Sequence, residues 1–185
     1  MLFPLRDFLR TTKNKELVSE ELSRFECSLD PQVCDFLRKD AIAYESDHKS
    51  RTYLLVERND PKDEHRTILG YVSLALTTLK IGDTVDEEMR ARLKADQKAN
   101  TIACYLIGQL GKNDLYRRQT DGSDLVDRAM NVFKQGHEWF GGRFVLVECR
   151  DVPKVIAFYE ANAFEYVQTD AARELLQYFR PLAEP

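Results

Sequence analysis

The sequence contains no C-x-x-C pair, and only three histidines accompany its four cysteines, Cys27, Cys34, Cys104 and Cys149. Structural zinc sites are built from thiolates and imidazoles at short spacing, so no metal site is expected. The cysteines read as reduced, buried thiols of a cytoplasmic protein. No apolar run reaches the roughly 18 residues that span a bilayer. The opening stretch, MLFPLRDFLRTTKNKEL, is broken by Arg6, Asp7 and Arg10 and lacks the apolar centre of a signal peptide. Pro/Gly/Ser-rich linkers, repeats and low-complexity tracts are absent, so residues 1–185 are expected to form a single domain. Positive charge is in short supply: 27 Lys and Arg against 31 Asp and Glu give a formal net charge of −4. Such a surface has no general attraction to nucleic acid or anionic membrane. Of the common nucleotide-binding signatures, neither G-x-x-x-x-G-K-S/T nor G-x-G-x-x-G occurs.

What is present is a mixed pattern of periods. Residues 1–20 look polar and irregular, with at most a short helix. Asp30-Pro31 opens a helix over 31–44, with Asp30 as cap, Pro31 in the first turn, and Val33, Phe36, Leu37 and Ala41 on one face. Residues 52–57 (TYLLVE) and 67–76 (TILGYVSLAL) read as a hairpin turning at Asn59-Asp60-Pro61. The charged stretch 83–100 reads as a solvated helix or surface excursion. Residues 102–110 (IACYLIGQL) suit a strand buried on both faces. Leu125, Ala129, Val132, Phe133 and Phe140 then mark an amphipathic helix ended by Gly141-Gly142. A strand over 144–149, a helix over 153–162 capped by Asp151, and strands near 164–167 and 176–182 complete a mixed α/β fold with helices packed on a sheet.

The chemistry concentrates in the strand–loop–helix unit over 102–140. A polar loop feeding a helix N-terminus presents unpaired N–H groups and the positive end of the helix dipole, a setting for phosphate. Gly122 removes a Cβ from this loop, and Arg117 and Arg118 add charge. Further on, Tyr159 lies in the helical stretch 156–164. A phenol, with an ordinary pKa of about 10, suits protonation of a leaving thiolate.

These residues resemble the GNAT acetyltransferases. Arg117-x-x-Thr120-x-Gly122 before Leu125-Val126 is similar to that family's coenzyme A signature, Q/R-x-x-G-x-G/A, and FYEANAF at 158–164 is similar to its closing FY-x-x-x-G-F motif. Phe25, Cys27, Phe36-Leu37, Ala41 and the run from Arg51 to Leu55 look like the front half of the subgroup that includes toxin-type acetyltransferases. The resemblance spans about 20–182. Thr120 and Ala163 depart from it, each standing where the pattern has glycine.

The resemblance implies a mixed, mostly antiparallel central sheet flanked by helices, with splayed central strands. It implies acetyl transfer from acetyl-coenzyme A to an amine by direct attack in a ternary complex. Backbone groups of Leu110 and Lys112 would meet the pantetheine arm. Arg117, Arg118, Thr120, Gly122 and Ser123 would hold the diphosphate, and Tyr159 would be the general acid. Glu57, Glu148 and Asp151 are the carboxylates considered as general base, and a Cys149–His137 nucleophile pair is a weaker alternative. The acceptor is expected to be a small-molecule or protein amine, in a pocket built from residues 25–50 and 80–100. Toxin-like acetylation of aminoacyl-tRNA is an alternative. Lys94, Lys98, Lys112, Arg117, Arg118 and Arg128 would supply its cationic surface, against the acidic net charge. A non-catalytic acyl-coenzyme A-binding module is the third reading, suggested by Thr120 and Ala163. A homodimer through the C-terminal strands stays open, and no membrane partner is expected.

Overall fold

Leu5 and Phe8 stand one helical turn apart and are 0% and 1% exposed. Their burial organises the N-terminus that the sequence pattern leaves irregular. Leu2–Pro4 forms strand β1, Leu5–Thr11 helix α1 and Lys15–Ser23 helix α2. The difference has a simple cause: Leu5 with Phe8, and Val18 with Leu22, are helically spaced, and burial of these side chains stabilises helices too short to form by propensity alone. The computed structural model describes residues 2–12, 15–57, 66–93 and 100–182.

The helix expected from residue 31 is present. Pro31–Asp35 (α3), a π-helical turn over Phe36–Asp40, and Ala41–Ser46 (α4) follow one another. The Asp30 side chain accepts from the Gln32 N–H at 2.9 Å. In the π turn the Ala41 N–H donates to the Phe36 carbonyl, five residues back. Strands β2 (Arg51–Val56) and β3 (Ile68–Lys80) pair antiparallel, with Thr52 opposite Ser73 and Leu54 opposite Tyr71. The turn at Asn59-Asp60-Pro61 lies outside the described residues, as do Lys94 and Lys98.

Within the charged stretch, the described helix is short. Glu87–Arg92 forms α5, capped by Asp86, whose carboxylate accepts from the Met89 N–H at 2.7 Å. Thr101–Lys112 forms β4. Its first half is buried on one face only: Ile102 and Cys104 point inward while Thr101 and Ala103 are exposed. Gly122–Phe140 forms α6, Phe144–Cys149 β5, Pro153–Ala161 α7, Glu165–Asp170 β6 and Leu175–Pro181 β7. Asp151 does not cap α7. The cap position is Val152, without a side-chain bond, and Pro153 starts the helix by its fixed φ.

Hydrogen-bonded strand order is β1-β2-β3-β4-β5-β7-β6. The pairs β1–β2, β2–β3, β5–β7 and β6–β7 are antiparallel. The β4–β5 pair is parallel, with Tyr105, Leu106 and Ile107 opposite Val145, Leu146 and Val147. This is the mixed, mostly antiparallel sheet that the sequence implies. No helix among the described residues is long and apolar enough to cross a membrane.

The chain forms two compact units. The first is Met1–Ala75 with Gly108–Ala129. Its core gathers Phe8, Leu22, Phe25, Leu37, Leu54 and Tyr71. Tyr71 reaches the Val33 carbonyl at 2.6 Å, and burial pushes its phenol pKa up. The Glu45 carboxylate, also buried, is satisfied by Arg51 Nη1 at 2.8 Å and the Thr52 N–H at 2.9 Å.

The second unit is Leu76–Ile107 with Met130–Pro185. Its core includes Leu79, Ile81, Cys104, Phe144, Leu146 and Phe179. Gly141 and Gly142 end α6 with φ of +76° and +108°. A Cβ on Gly142 would lie 2.3 Å from the Tyr105 ring, so only glycine fits there.

Helix α7 ends in a Schellman motif. The Phe164 N–H donates to the Tyr159 carbonyl and the Ala163 N–H to the Glu160 carbonyl, each at 3.0 Å. The hydrophobic contact that accompanies this motif is Phe164 on Tyr159, with ring centroids 5.6 Å apart. Ala163 carries the left-handed conformation at φ +59°. A Cβ in that region costs about 1–2 kcal/mol, offset in part by the roughly 0.5–1 kcal/mol of extra chain entropy a glycine loses. Ala163→Gly is therefore expected to raise unfolding free energy by about 0.5–1 kcal/mol. Denaturant unfolding measures it, and a loss of stability would contradict the assignment.

Candidate functional site

Strand β4 ends at Gly111 and Lys112 in a place where backbones crowd. A Cβ on Gly70 would lie 2.9 Å from the Gly111 carbonyl oxygen. A Cβ on Gly111 would lie 2.4 Å from Val33 and 3.1 Å and 3.2 Å from the rings of Tyr71 and Phe25. Glycine at both positions lets β3 and β4 approach and fixes where the following loop begins.

Asn113 then turns the chain. It is 2% exposed, and both polar atoms of its carboxamide have partners. Nδ2 donates to the Ile68 carbonyl at 2.8 Å, while Oδ1 accepts from the N–H groups of Glu26 at 3.3 Å and Leu115 at 3.2 Å. Its own N–H donates to the Leu69 carbonyl at 2.9 Å.

Asp114 adds a second tie. Its N–H donates to the Glu26 carbonyl at 2.7 Å, and Oδ2 accepts from the Ser28 N–H at 2.6 Å. Arg117 Nε donates to Asp114 Oδ1 at 3.0 Å, and Arg117 Nη2 donates to Ser28 Oγ at 3.0 Å. The hydrogen bond from Arg117, then those from Ser28, hold the Asp114 carboxyl well below the usual carboxylate range. Neither Asn113 nor Asp114 is singled out by the sequence pattern. The available signal is an Asn-Asp pair directly after a strand, a sequence that favours side-chain-to-backbone turns.

The expected coenzyme-binding residues sit together in the first unit. Leu110 and Lys112 are half-buried on β4. Arg117 and Arg118 are exposed on the loop, Thr120 is half-buried, and Gly122 and Ser123 form the first turn of α6. The N–H of Ser123 is already taken, donating to Asp121 Oδ1 at 3.2 Å, so Asp121 caps the helix. The N–H groups of Thr120, Asp121, Gly122 and Asp124 meet no protein acceptor among the described residues. Several donors at a helix N-terminus, with the Arg118 guanidinium beside them in sequence, suit a diphosphate. The carboxylates of Asp121 and Asp124 oppose it in charge.

Beside this turn lies a groove of about 760 Å³, lined by Leu55, Val56, Glu57, Leu69, Gln119, Asp124 and Arg128. Arg128 Nε pairs with Asp124 at 2.8 Å on its rim.

Tyr159 belongs to the second unit. It is 9% exposed and lies edge-on to Phe158 and Phe164. Also there, Glu148 is bound by Arg173, with Nη1 at 2.8 Å and Nη2 at 2.5 Å, and by Gln177 Nε2 at 2.7 Å. Both oxygens of Glu148 are thus occupied by protein donors, which argues against its meeting an acceptor amine as general base. Asp151 is exposed beyond β5. The Cys149–His137 pair has the wrong electrostatics. Burial, then the charge of Asp151, pushes the Cys149 thiol up to about 11, and His137 Nδ1 donates to the Gly142 carbonyl at 2.7 Å. No group of three or more metal-ligating side chains occurs among the described residues.

No family model matches the sequence, and no curated protein matches it. Solved structures do. A structure of AtaT complexed with acetyl-methionyl-tRNAfMet aligns over 98% of this chain and 94% of its own, at TM-score 0.71 and 22% identity. The chain has the AtaT fold. A tyrosine-to-phenylalanine mutant of KacT aligns over 89% of each chain, at TM-score 0.71 and 19% identity. A structure of AtaTR bound with AcCoA aligns over 87% of this chain and 86% of its own, at TM-score 0.68 and 23% identity. AtaT, described there as a toxin, has also been solved as a tyrosine-to-phenylalanine mutant.

Two outcomes follow from the β4 end. Gly111→Ala is expected to lower stability by about 1–3 kcal/mol in denaturant unfolding, because Val33 and two rings must move. For Asp114, whose folded pKa is depressed, the stabilisation is complete above the unfolded value near 3.9 and is lost as pH falls through the folded value. The fall in unfolding free energy with acidification below about pH 4 should be shallower in Asp114→Asn than in wild type. Identical slopes would show that the carboxylate is not held as described.

Proposed function

We propose that the chain is a GNAT-class N-acetyltransferase, with 1–185 working as a single catalytic domain. It moves an acetyl group from acetyl-coenzyme A to an amine by direct attack in a ternary complex. The observation that carries this reading is the set of N–H groups at the start of α6 with no acceptor among the described residues, in a chain that shares its fold with AtaT over 98% of its length. An AtaT structure with AcCoA of the same fold supports it further.

Acetyl-coenzyme A supplies an activated thioester, and this chain's residues do the rest. The N–H groups of Thr120, Gly122 and Asp124, with Arg118, hold the diphosphate. Backbone groups of Leu110 and Lys112 line up the pantetheine arm. Binding of both partners in register provides much of the rate. As the amine nitrogen bonds to the carbonyl carbon and the C–S bond breaks, the Tyr159 hydroxyl gives its proton to the thiolate, and the amine's surplus proton leaves to water or a carboxylate. The tyrosine-to-phenylalanine mutants of AtaT and KacT fit a special role for a tyrosine in this fold.

The acceptor is an amine of a small molecule or protein. A toxin-like reaction on the α-amine of aminoacyl-tRNA is a second reading, and the AtaT complex with acetyl-methionyl-tRNAfMet favours it. AtaT structures also contain the antitoxin AtaR, so a protein partner belongs to that reading. Both readings place the protein in the cytoplasm. The non-catalytic module is the weaker alternative, since the Thr120 N–H has no acceptor among the described residues despite its side chain.

Calorimetric titration with acetyl-coenzyme A and a thiol-release assay with a pool of amines and aminoacyl-tRNAs test these statements. Wild type is expected to bind and turn over. Tyr159→Phe is expected to lower kcat by about 10²-fold or more with the donor Kd unchanged. Absence of donor binding at millimolar concentration would refute the assignment. Binding without turnover on any amine would favour the module.

A further inference from the structure

The sequence pattern offers Arg117 as a phosphate ligand, yet its guanidinium already has work elsewhere. It forks across Asp114 and Ser28, with Nε 3.0 Å from Asp114 Oδ1 and Nη2 3.0 Å from both Asp114 Oδ2 and Ser28 Oγ. The same Asp114 carboxylate accepts the Ser28 N–H at 2.6 Å, and the Asp114 N–H returns a bond to the Glu26 carbonyl at 2.7 Å. These contacts close a clasp between residues 26–28 and 113–117. Arg118, the next residue, is exposed and makes no hydrogen bond or ion pair among the described residues. If Arg117 turned to a diphosphate, it would give up its bonds to Asp114 and to the Ser28 hydroxyl. Arg118 can turn without breaking anything.

We propose that Arg117 is a positioning residue that locks the loop through Asp114 and Ser28, and that Arg118 is the cation that meets the donor's diphosphate. The second half rests on the acetyltransferase reading; the first does not. An isolated exposed ion pair contributes little. Here the fork is joined to two backbone bonds and a hydroxyl, so its effect is expected in the order of the loop as well as in the acid-range stability tied to Asp114.

Two measurements test the proposal. Amide hydrogen exchange reads the clasp directly. Arg117→Ala should speed exchange of the Ser28 and Asp114 N–H groups, Asp114→Ala, which also removes the acceptor of the Ser28 N–H, should speed it further, and the double variant should match Asp114→Ala. Arg117→Lys, which keeps charge but not the fork, should behave as Arg117→Ala, and Arg118→Ala should leave exchange as in wild type. Equal protection in Arg117→Ala and wild type would overturn the positioning role.

Calorimetric Kd values for acetyl-coenzyme A and for acetyl-pantetheine, which lacks the diphosphate, read the ligand role. Arg118→Ala should weaken acetyl-coenzyme A about tenfold and acetyl-pantetheine little, whereas Arg117→Ala should affect both donors by the same factor. A selective loss of acetyl-coenzyme A in Arg117→Ala, with Arg118→Ala unaffected, would reverse the two roles and sink the proposal. If wild type bound neither donor, the acetyltransferase reading and the role of Arg118 would fall together, and the exchange data would still decide Arg117.

Discussion

Strand β4 ends at a side chain that has almost no contact with water. The Asn113 carboxamide must find partners for its donor and acceptor within the protein, because an unpaired polar group in that position costs as much as several favourable contacts return. It finds them on β3, on the segment before α3 and on its own loop. That requirement ties three stretches distant in sequence to one point. The start of the loop that leads to α6 is fixed by it.

Upstream of that point the constraint is steric rather than polar. Gly70 and Gly111 allow two strands to approach to a distance that any other residue would forbid. Downstream it is electrostatic. Asp121 caps α6 and Asp124 stands in its first turn, so the positive end of the helix is already partly compensated by carboxylates. In the reading proposed above, an anion bound there would rely on N–H groups more than on net charge, and on Arg118, which is exposed and has no ion pair among the described residues. This arrangement favours a ligand of extended shape, whose apolar arm contributes alongside its phosphates, over a free phosphate ion.

Much of this was legible in the sequence. The cap at Asp30, the antiparallel pairing of β2 with β3, the buried Leu125, Ala129 and Phe133 of α6 and its Gly141-Gly142 stop are local patterns that appear where expected, whereas Phe140, expected on the same face of α6, is 71% exposed. The glycine-like position at Ala163 was visible as a departure from a motif, and the backbone gives the reason: a left-handed residue closing α7. The first twenty residues were not legible, because α1 and α2 are stabilised by burial of a few side chains whose partners lie far along the chain. Asp151 misled for the opposite reason. It is a good cap by type, but Pro153 fixes the start of α7 without one. The clasp on Asp114 was hidden because it joins residues 86 and 89 positions apart. Sequence reading assigns an arginine near a loop to the ligand by default, and only coordinates show which arginine is spent.

The helical run that begins at Pro31 carries one residue more than an α-helix needs, accommodated where the Ala41 N–H reaches back to Phe36. A π turn of this kind is an insertion the helix has absorbed. It rotates the segment that follows by roughly the angle of one residue, about 100°, so Ala41 and Glu45 face inward in a register that Val33 and Leu37 alone would not set. Loss of one residue from this turn would let the run close up as plain α-helix, with the Ala41 N–H still reaching the Phe36 carbonyl, now over the ordinary four residues. The turn is therefore a place where the chain can shorten while the Glu45 carboxylate keeps facing Arg51 and Thr52.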